Sequence, residues 1–283
     1  MTTASSLAIA MPRFWADLKS PDFARLDLAR AIAVLPLAAI EQHGPHLPLN
    51  VDRTLVDGVI ASAFPNLPAD LPVLFLPPQA IGYSPEHTRF AGTLTLKSDT
   101  LISLWTEVAE SVAASGVNKL VLLNSHGGQA GLLDVVARDL RARLGMLVYS
   151  VNSFNLPLVN AQGESVAGLF SAHEQRFGIH AGEIETSMML ALKPDQVDMA
   201  MAQDFHSTSQ DRAEQFSILG DGRSAKLGWQ MQDYNAQGAA GNAAAATADK
   251  GRALLGAMGL ALARLLVEID RLPADTLRNG TAA

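Results

Sequence analysis

Four apolar runs at regular distances limit what this chain can fold into more than any other feature. They are AIAVLPLAAI (31–40), LPVLFLPP (71–78), KLVLLN (119–124) and MLVYSVNSF (146–154). Each is short, and the first three are nearly continuous in apolar residues. A strand with one wet face would alternate, so these read as strands buried on both sides. Segments of helical spacing lie between them: RTLVDGVIASAF after Asp52, SDTLISLWTEVAESVAAS (98–115), and AGLLDVVARDLRARLG after Gln129. Ser98 or Asp99 suits the N-cap of the second, and Gly116 its stop. Strand, helix, strand in this order predicts βαβ units, hence an α/β fold with a mostly parallel sheet and helices on both faces. A late helix over about 245–269, built of Ala, Leu, Gly and Met on several sides, must be buried in the core or against another subunit. Residues 203–245 read as long loops. With no repeat and no long linker, the 283 residues form one domain, 1–283.

Composition removes several function classes. The chain has no cysteine, which excludes disulfide scaffolds, thiol nucleophiles and Cys-based zinc sites. Any metal must be held by His, Asp and Glu. A net charge of −7 with no Lys/Arg cluster argues against nucleic acid as a partner. The start, MTTASSLAIAMPRFW, lacks a basic region, so no signal peptide is expected. GRALLGAMGLALARLLVEI is too short between Arg252 and Arg264 to cross a bilayer. The expectation is a cytoplasmic protein without a membrane partner.

The chemistry-bearing residues follow the strands. In open parallel sheets, ligands bind beyond the carboxyl ends of the strands. Glu41 and His43, in EQHGPHLPLNVD (41–52), come directly after the first strand, and His126, in NSHGG (124–128), after the third. Asp52 begins the next helix, close enough for the loop to return it. Glu, Asp and His together suit Zn, Mn or Fe. Glu41 and His43 at i and i+2 could each hold one of two adjacent metals, with Asp52 bridging. Two metals about 3.5–4 Å apart make a hydrolytic centre that acidifies water. The alternative for each residue alone is a loop hydrogen-bonder or a solvated carboxylate. In IHAGEIETSMMLAL (179–192), His180, Glu183 and Glu185 sit at a helix start. There the acids could simply satisfy the dipole, or His180 could shuttle protons while one Glu joins the metals. Glu183 and Glu185, two apart on a helix, cannot both face one point. Glu86 and His87, in YSPEHTRFAGTLTL (83–96), read as a structured loop that could line a site. Ser125 lacks the glycine two places earlier that a strained nucleophile elbow needs. GAAGNAAAATADKG (238–251) lacks the Gly-Lys-Ser/Thr ending of a phosphate loop.

Five of these stretches, in order, resemble the creatininase (creatinine amidohydrolase) family: LPLAAIEQHGPHLPLNVD, SPEHTRFAGTLTL, VLLNSHGGQ, HAGEIETSMML and GAAGNAAAATADKG. The third stretch has Ser125 where the family usually has Gly, and Gln129 where it has Asn. The resemblance implies a three-layer α/β/α fold, two divalent metals (Zn and/or Mn, with Fe an alternative), and a homo-oligomer, often a hexamer. It implies hydrolysis of a non-peptide C–N bond in a cyclic amide, lactam or formamide-like substrate. A peptidase acting on a short modified peptide and a non-catalytic metal-retaining binder are the alternatives. Glu41, Asp52 and His126 would hold one metal, His43 and Asp52 the other, and His180 falls at the proton-transfer histidine. Creatininases proper carry Tyr-Glu after the strand-end histidine, whereas this chain has Gly127 and Gly128. The second metal then needs another carboxylate: Glu183 as first choice, Glu185 next. None of Trp15, Trp105 and Trp229 lies at 150–180, where the family places tryptophans around its substrate, which speaks against creatinine itself.

Overall fold

The computed structural model describes residues 12–273 and 275–278; the stretch read for a leader lies largely outside them. Four strands form one parallel sheet: β1 (Ile32–Leu37), β2 (Val73–Phe75), β3 (Lys119–Asn124) and β4 (Leu147–Asn152). Their order is β2-β1-β3-β4. Helix α1 (Val51–Ala63) joins β1 to β2, α2 (Ser98–Ala114) joins β2 to β3, and α3 (Ala130–Leu144) joins β3 to β4. The chain steps one way from β1 to β2 and the other way thereafter. Right-handed crossovers therefore place α1 on one face and α2 with α3 on the other.

The strands alternate although both faces are dry. Ile32, Val34, Val121 and Leu123 pack toward α1, while Ala33, Leu35, Leu120 and Leu122 pack toward α2 and α3. The layer on the α1 face also contains α5 (Glu183–Leu192) and α8 (Ala248–Asp270). One face of the apolar-rich late helix is thus core: it packs along α1 and α5. Gly251 permits that approach, since a Cβ there would lie 2.5 Å from the Ser187 carbonyl carbon and 2.9 Å from Met188 N. The result is the expected α/β/α sandwich.

β3 matches its apolar stretch, and the other strands stop up to three residues short at an end, because Ala38–Ile40 and Pro77–Pro78 lie outside the ladder. The expected loops at 203–245 contain short elements: β5 (Asp204–Phe205), α6 (Thr208–Gln215), α7 (Met231–Tyr234) and β6 (Gly241–Asn242), with α4 (Ala172–Phe177) before them. β5 and β6 pair antiparallel. No described helix is long and apolar enough to cross a membrane. Leu37, Asn124 and Asn152 are register partners, so β1, β3 and β4 end level. The chain reverses direction across the sheet between β1 and β3, and at that switch point the loops after both strands leave the same carboxyl edge toward opposite faces, opening a crevice between them.

Candidate metal centre

The loop after β1 is braced before it delivers any side chain. Glu41 N donates to Leu49 O (3.0 Å), Gln42 N to Thr93 Oγ1 (3.1 Å), and Leu94 N to Ile40 O (2.8 Å). The loop after β3 is tied to it. The Ser125 hydroxyl is shared between Leu37 O (3.1 Å) and Asp52 O (2.9 Å). Gln129 donates to Asn124 Oδ1 (2.9 Å) and Ala38 O (3.3 Å) and accepts from Tyr83 N (3.2 Å). Ser125 is therefore a fastener between β1 and α1, and the nucleophile reading finds no support in its bonds.

Glu41, His43, Asp52, His126 and His180 come together, all buried. His126 Nδ1 lies 3.3 Å from Glu41 Oε1 and 3.3 Å from Asp52 Oδ2. His43 Nε2 lies 3.7 Å from Asp52 Oδ1 and 3.9 Å from Glu185 Oε2. His180 Nδ1 is 3.8 Å from Glu41 Oε1. Two of the groups with metal-holding geometry are Glu41–Asp52–His126 and His43–Asp52–Glu185, which share Asp52.

Glu185, not Glu183, reaches the second group. Glu183 starts α5, and its carboxylate turns away to bind Lys250 Nζ. Two positions further round the helix, Glu185 faces His43 and accepts from Ala181 N (2.5 Å). Ala181 holds a left-handed conformation (φ 53°), the only positive-φ residue among the described residues that is not glycine. Strain of this kind persists where neighbours over-determine the backbone. Here His180 is pinned on one side, Ala240 N donating to His180 O at 2.8 Å, and α5 on the other. Buried Glu174 caps α5, accepting from Glu183 N (2.7 Å) and Asn242 N (2.8 Å).

The loop at 83–96 contributes more than a lining. His87 Nε2 lies 3.4 Å from Glu41 Oε1, and Glu86 Oε1 lies 3.5 Å from His126 Nε2. A Cβ at Gly128 would collide with Glu86 Oε1 and lie 2.6 Å from His126 Nε2, so glycine there makes the room that Glu86 occupies. Trp229 stands edge-on to His87 (centroids 6.2 Å apart, 85°) with Tyr234 behind it (4.9 Å). An aromatic thus borders the centre, but from a part of the chain that spacing alone did not single out. The signal available for Glu86 and His87 was the Pro-Glu-His run itself.

Electrostatics fit a cation. Burial opposes charge on His43, yet Asp52, Glu185 and Glu41 outweigh it and hold His43 up at about 9. Burial is likewise outweighed at His126, raised by Glu41 and Asp52. Asp52, despite burial, is held below the usual carboxylate range by His126 and His43. His180 is pushed down to about 3, by burial and then by His43, and His87 is also lowered by burial and by His180. Among the described residues, Glu41 Oε2, His43 Nε2 and Asp52 Oδ2 are buried polar atoms without a hydrogen-bond partner. Orphaned atoms of this kind are costly unless a ligand satisfies them, and all three residues belong to the groups with metal-holding geometry. The outer nitrogens are already engaged: His43 Nδ1 on Glu41 O (3.1 Å) and His126 Nε2 on Tyr83 O (2.9 Å). Each ring thereby turns the lone pair of its other nitrogen inward, the arrangement of metal-ligating histidines. The donor set fits a pair of divalent ions.

The family described as creatininase, creatinine amidohydrolase, matches residues 16–266. A mycofactocin precursor peptide peptidase of Mycobacterium tuberculosis is 35% identical over 187 residues, covering 64% of this chain and 66% of that protein. The match thus spans just under two thirds of that relative's length. A creatinine amidohydrolase of Pseudomonas putida is 29% identical over 186 residues, covering 62% of this chain and 70% of that protein. A solved variant creatininase of the zinc–zinc type superposes with a TM-score of 0.71, covering 93% of this chain and 100% of that one. Its 24% identity speaks for the fold.

Proposed function

From the premise that the chain belongs to the creatininase family, we propose that it is a hydrolase of an amide C–N bond, with Glu41, Asp52 and His126 holding one divalent ion and His43, Asp52 and Glu185 a second. The observation that carries this reading is that Glu41–Asp52–His126 and His43–Asp52–Glu185 form two metal-holding groups sharing Asp52, in which Glu41 Oε2, His43 Nε2 and Asp52 Oδ2 are buried and unpartnered. When bound, a zinc or manganese pair supplies Lewis acidity for a substrate carbonyl and a nucleophilic water at neutral pH.

The chain's own residues supply the remainder. His180, neutral at pH 7, donates Nε2–H to Gln42 O (2.7 Å) and keeps its Nδ1 lone pair toward Glu41. That nitrogen can take the proton of the attacking water and return it to the leaving nitrogen. Ala181 N–H fixes Glu185, and Ser125 fixes the start of α1 that carries Asp52. The dry surroundings of Asp52 and Glu41 strengthen every charge contact in the centre.

The substrate we favour is a short peptide, because the relatives at 35% identity are peptide peptidases. A small cyclic amide or formamide is the second reading, favoured by the Pseudomonas relative and by the family's description. A panel of short peptides, lactams and formamides, incubated with zinc- or manganese-loaded protein and read by mass spectrometry, separates the two. Cleavage that vanishes with chelator and returns with metal is expected. A protein that binds neither metal contradicts the reading.

A further inference from the structure

Gln42 lies between Glu41 and His43 and is itself buried. Its side-chain orientation is fixed, because Gly44 N donates to Gln42 Oε1 at 3.0 Å. The amide nitrogen must then be the end that meets His87 Nδ1, at 2.7 Å. An amide N–H can only donate, so His87 Nδ1 must accept. A neutral imidazole that accepts at Nδ1 carries its proton on Nε2, and that nitrogen lies 3.4 Å from Glu41 Oε1. On its other side, Gln42 presents its backbone carbonyl to His180 Nε2 at 2.7 Å, so His180 donates there and turns a bare Nδ1 toward Glu41. Gln42 Nε2 also approaches His180 Nε2 at 3.3 Å, but both are donors and no bond forms.

One residue therefore sets the same Nε2–H tautomer in two imidazoles whose centroids lie 4.3 Å apart, yet the two rings turn opposite nitrogens to one carboxylate: His87 its N–H, His180 its bare Nδ1. We propose that Gln42 makes His87 a hydrogen-bond donor to Glu41 rather than a metal ligand, so that His87 is a positioning residue that selects which oxygen of Glu41 faces the ions. Glu41, Glu86 and His87 form a third cluster of metal-holding geometry, and the tautomer removes His87 from any ligand set. Glu41 then offers Oε2, the oxygen without a protein partner, to the metal. This inference rests on the metal-centre reading for its consequence but not for its test.

Neutron diffraction on deuterium-exchanged, metal-free protein reads the proton directly. Deuterium density on Nε2 of His87, and none on Nδ1, is expected. Gln42→Glu replaces the donor by an acceptor, so density should then appear on Nδ1. His87→Gln, which keeps a donor, should still bind two zinc ions per chain by calorimetry, with affinity lowered roughly 10-fold or more at the site that Glu41 serves. Wild-type density on Nδ1 alone, a zinc ion on His87 Nε2, or one zinc lost in His87→Gln overturns the proposal. Failure of zinc to bind wild-type protein overturns the metal-centre reading instead, and the metal-free tautomer still decides this one.

Discussion

Asp52→Asn keeps the size of the side chain and removes the one charge that both metal groups share. In the structure Asp52 Oδ1 faces His43 at 3.7 Å and Oδ2 faces His126 at 3.3 Å. At a free metal concentration a hundredfold above Kd, each site stabilises the folded chain by about 2.7 kcal/mol, so two independent sites contribute about 5 kcal/mol. For a chain of this size, 1 kcal/mol moves Tm by roughly 2–4 °C. Wild-type protein should therefore melt on the order of 10–20 °C higher with saturating zinc or manganese than with chelator. Differential scanning fluorimetry on the same preparation, with and without metal, makes each variant its own control. Asp52→Asn should abolish nearly the whole metal-dependent rise. Glu185→Gln should remove about half of it. Glu183→Gln should keep it and lower Tm equally in both conditions, through loss of the Lys250 pair. A full metal-dependent rise in Asp52→Asn, or a rise lost in Glu183→Gln and kept in Glu185→Gln, would refute the assignment.

His180→Gln should bind both metals with unchanged stoichiometry and lose about 10²–10⁴-fold in turnover on the panel substrate; calorimetry that shows a missing metal contradicts the proton-transfer role. Burial, and then His43, push His46 down to about 4, whereas an unfolded chain protonates it near 6.5. The unfolded state binds the extra proton, so this contribution is complete above pH 6.5 and lost as pH falls toward 4, at most about 3 kcal/mol. Urea titrations of His46→Gln should show a flatter acid limb over that window, and an unchanged slope counts against it. Gly251→Ala should cost about 1–3 kcal/mol in urea midpoint by forcing α8 off the Ser187 carbonyl; a neutral result contradicts that packing. Gly128→Ala should displace Glu86 and weaken zinc binding roughly tenfold by chelator competition, and unchanged affinity argues that Glu86 does not support His126.

The sheet was legible because β1 and β3 carry continuous apolar runs, which only a doubly covered parallel strand requires. Their ends were less so: AIAVLPLAAI reads as one strand, but Ala38–Ile40 leave the ladder to start the site loop. The centre could be placed from strand ends alone, since Glu41, His43 and His126 follow β1 and β3 directly. Its second carboxylate could not be settled in the same way. Glu183 and Glu185 differ by about 200° around a helix, and only the seat of Lys250 on α8 decides which one turns inward. Glu86 and His87 were undervalued because their loop has no apolar period. What brings them in is the space above Gly128 and the orientation of Gln42, both tertiary facts. Trp229 arrives at the site from the 203–245 region, where short elements stabilised by capping rather than by periodicity left no pattern to read.

Anomalous diffraction from crystals grown with manganese or zinc measures the central claim most directly. Two peaks about 3.5–4 Å apart are predicted, one within bonding distance of Glu41, Asp52 and His126, the other of His43, Asp52 and Glu185. Density with no peak between these side chains, or a single ion bound by Glu183, would contradict it.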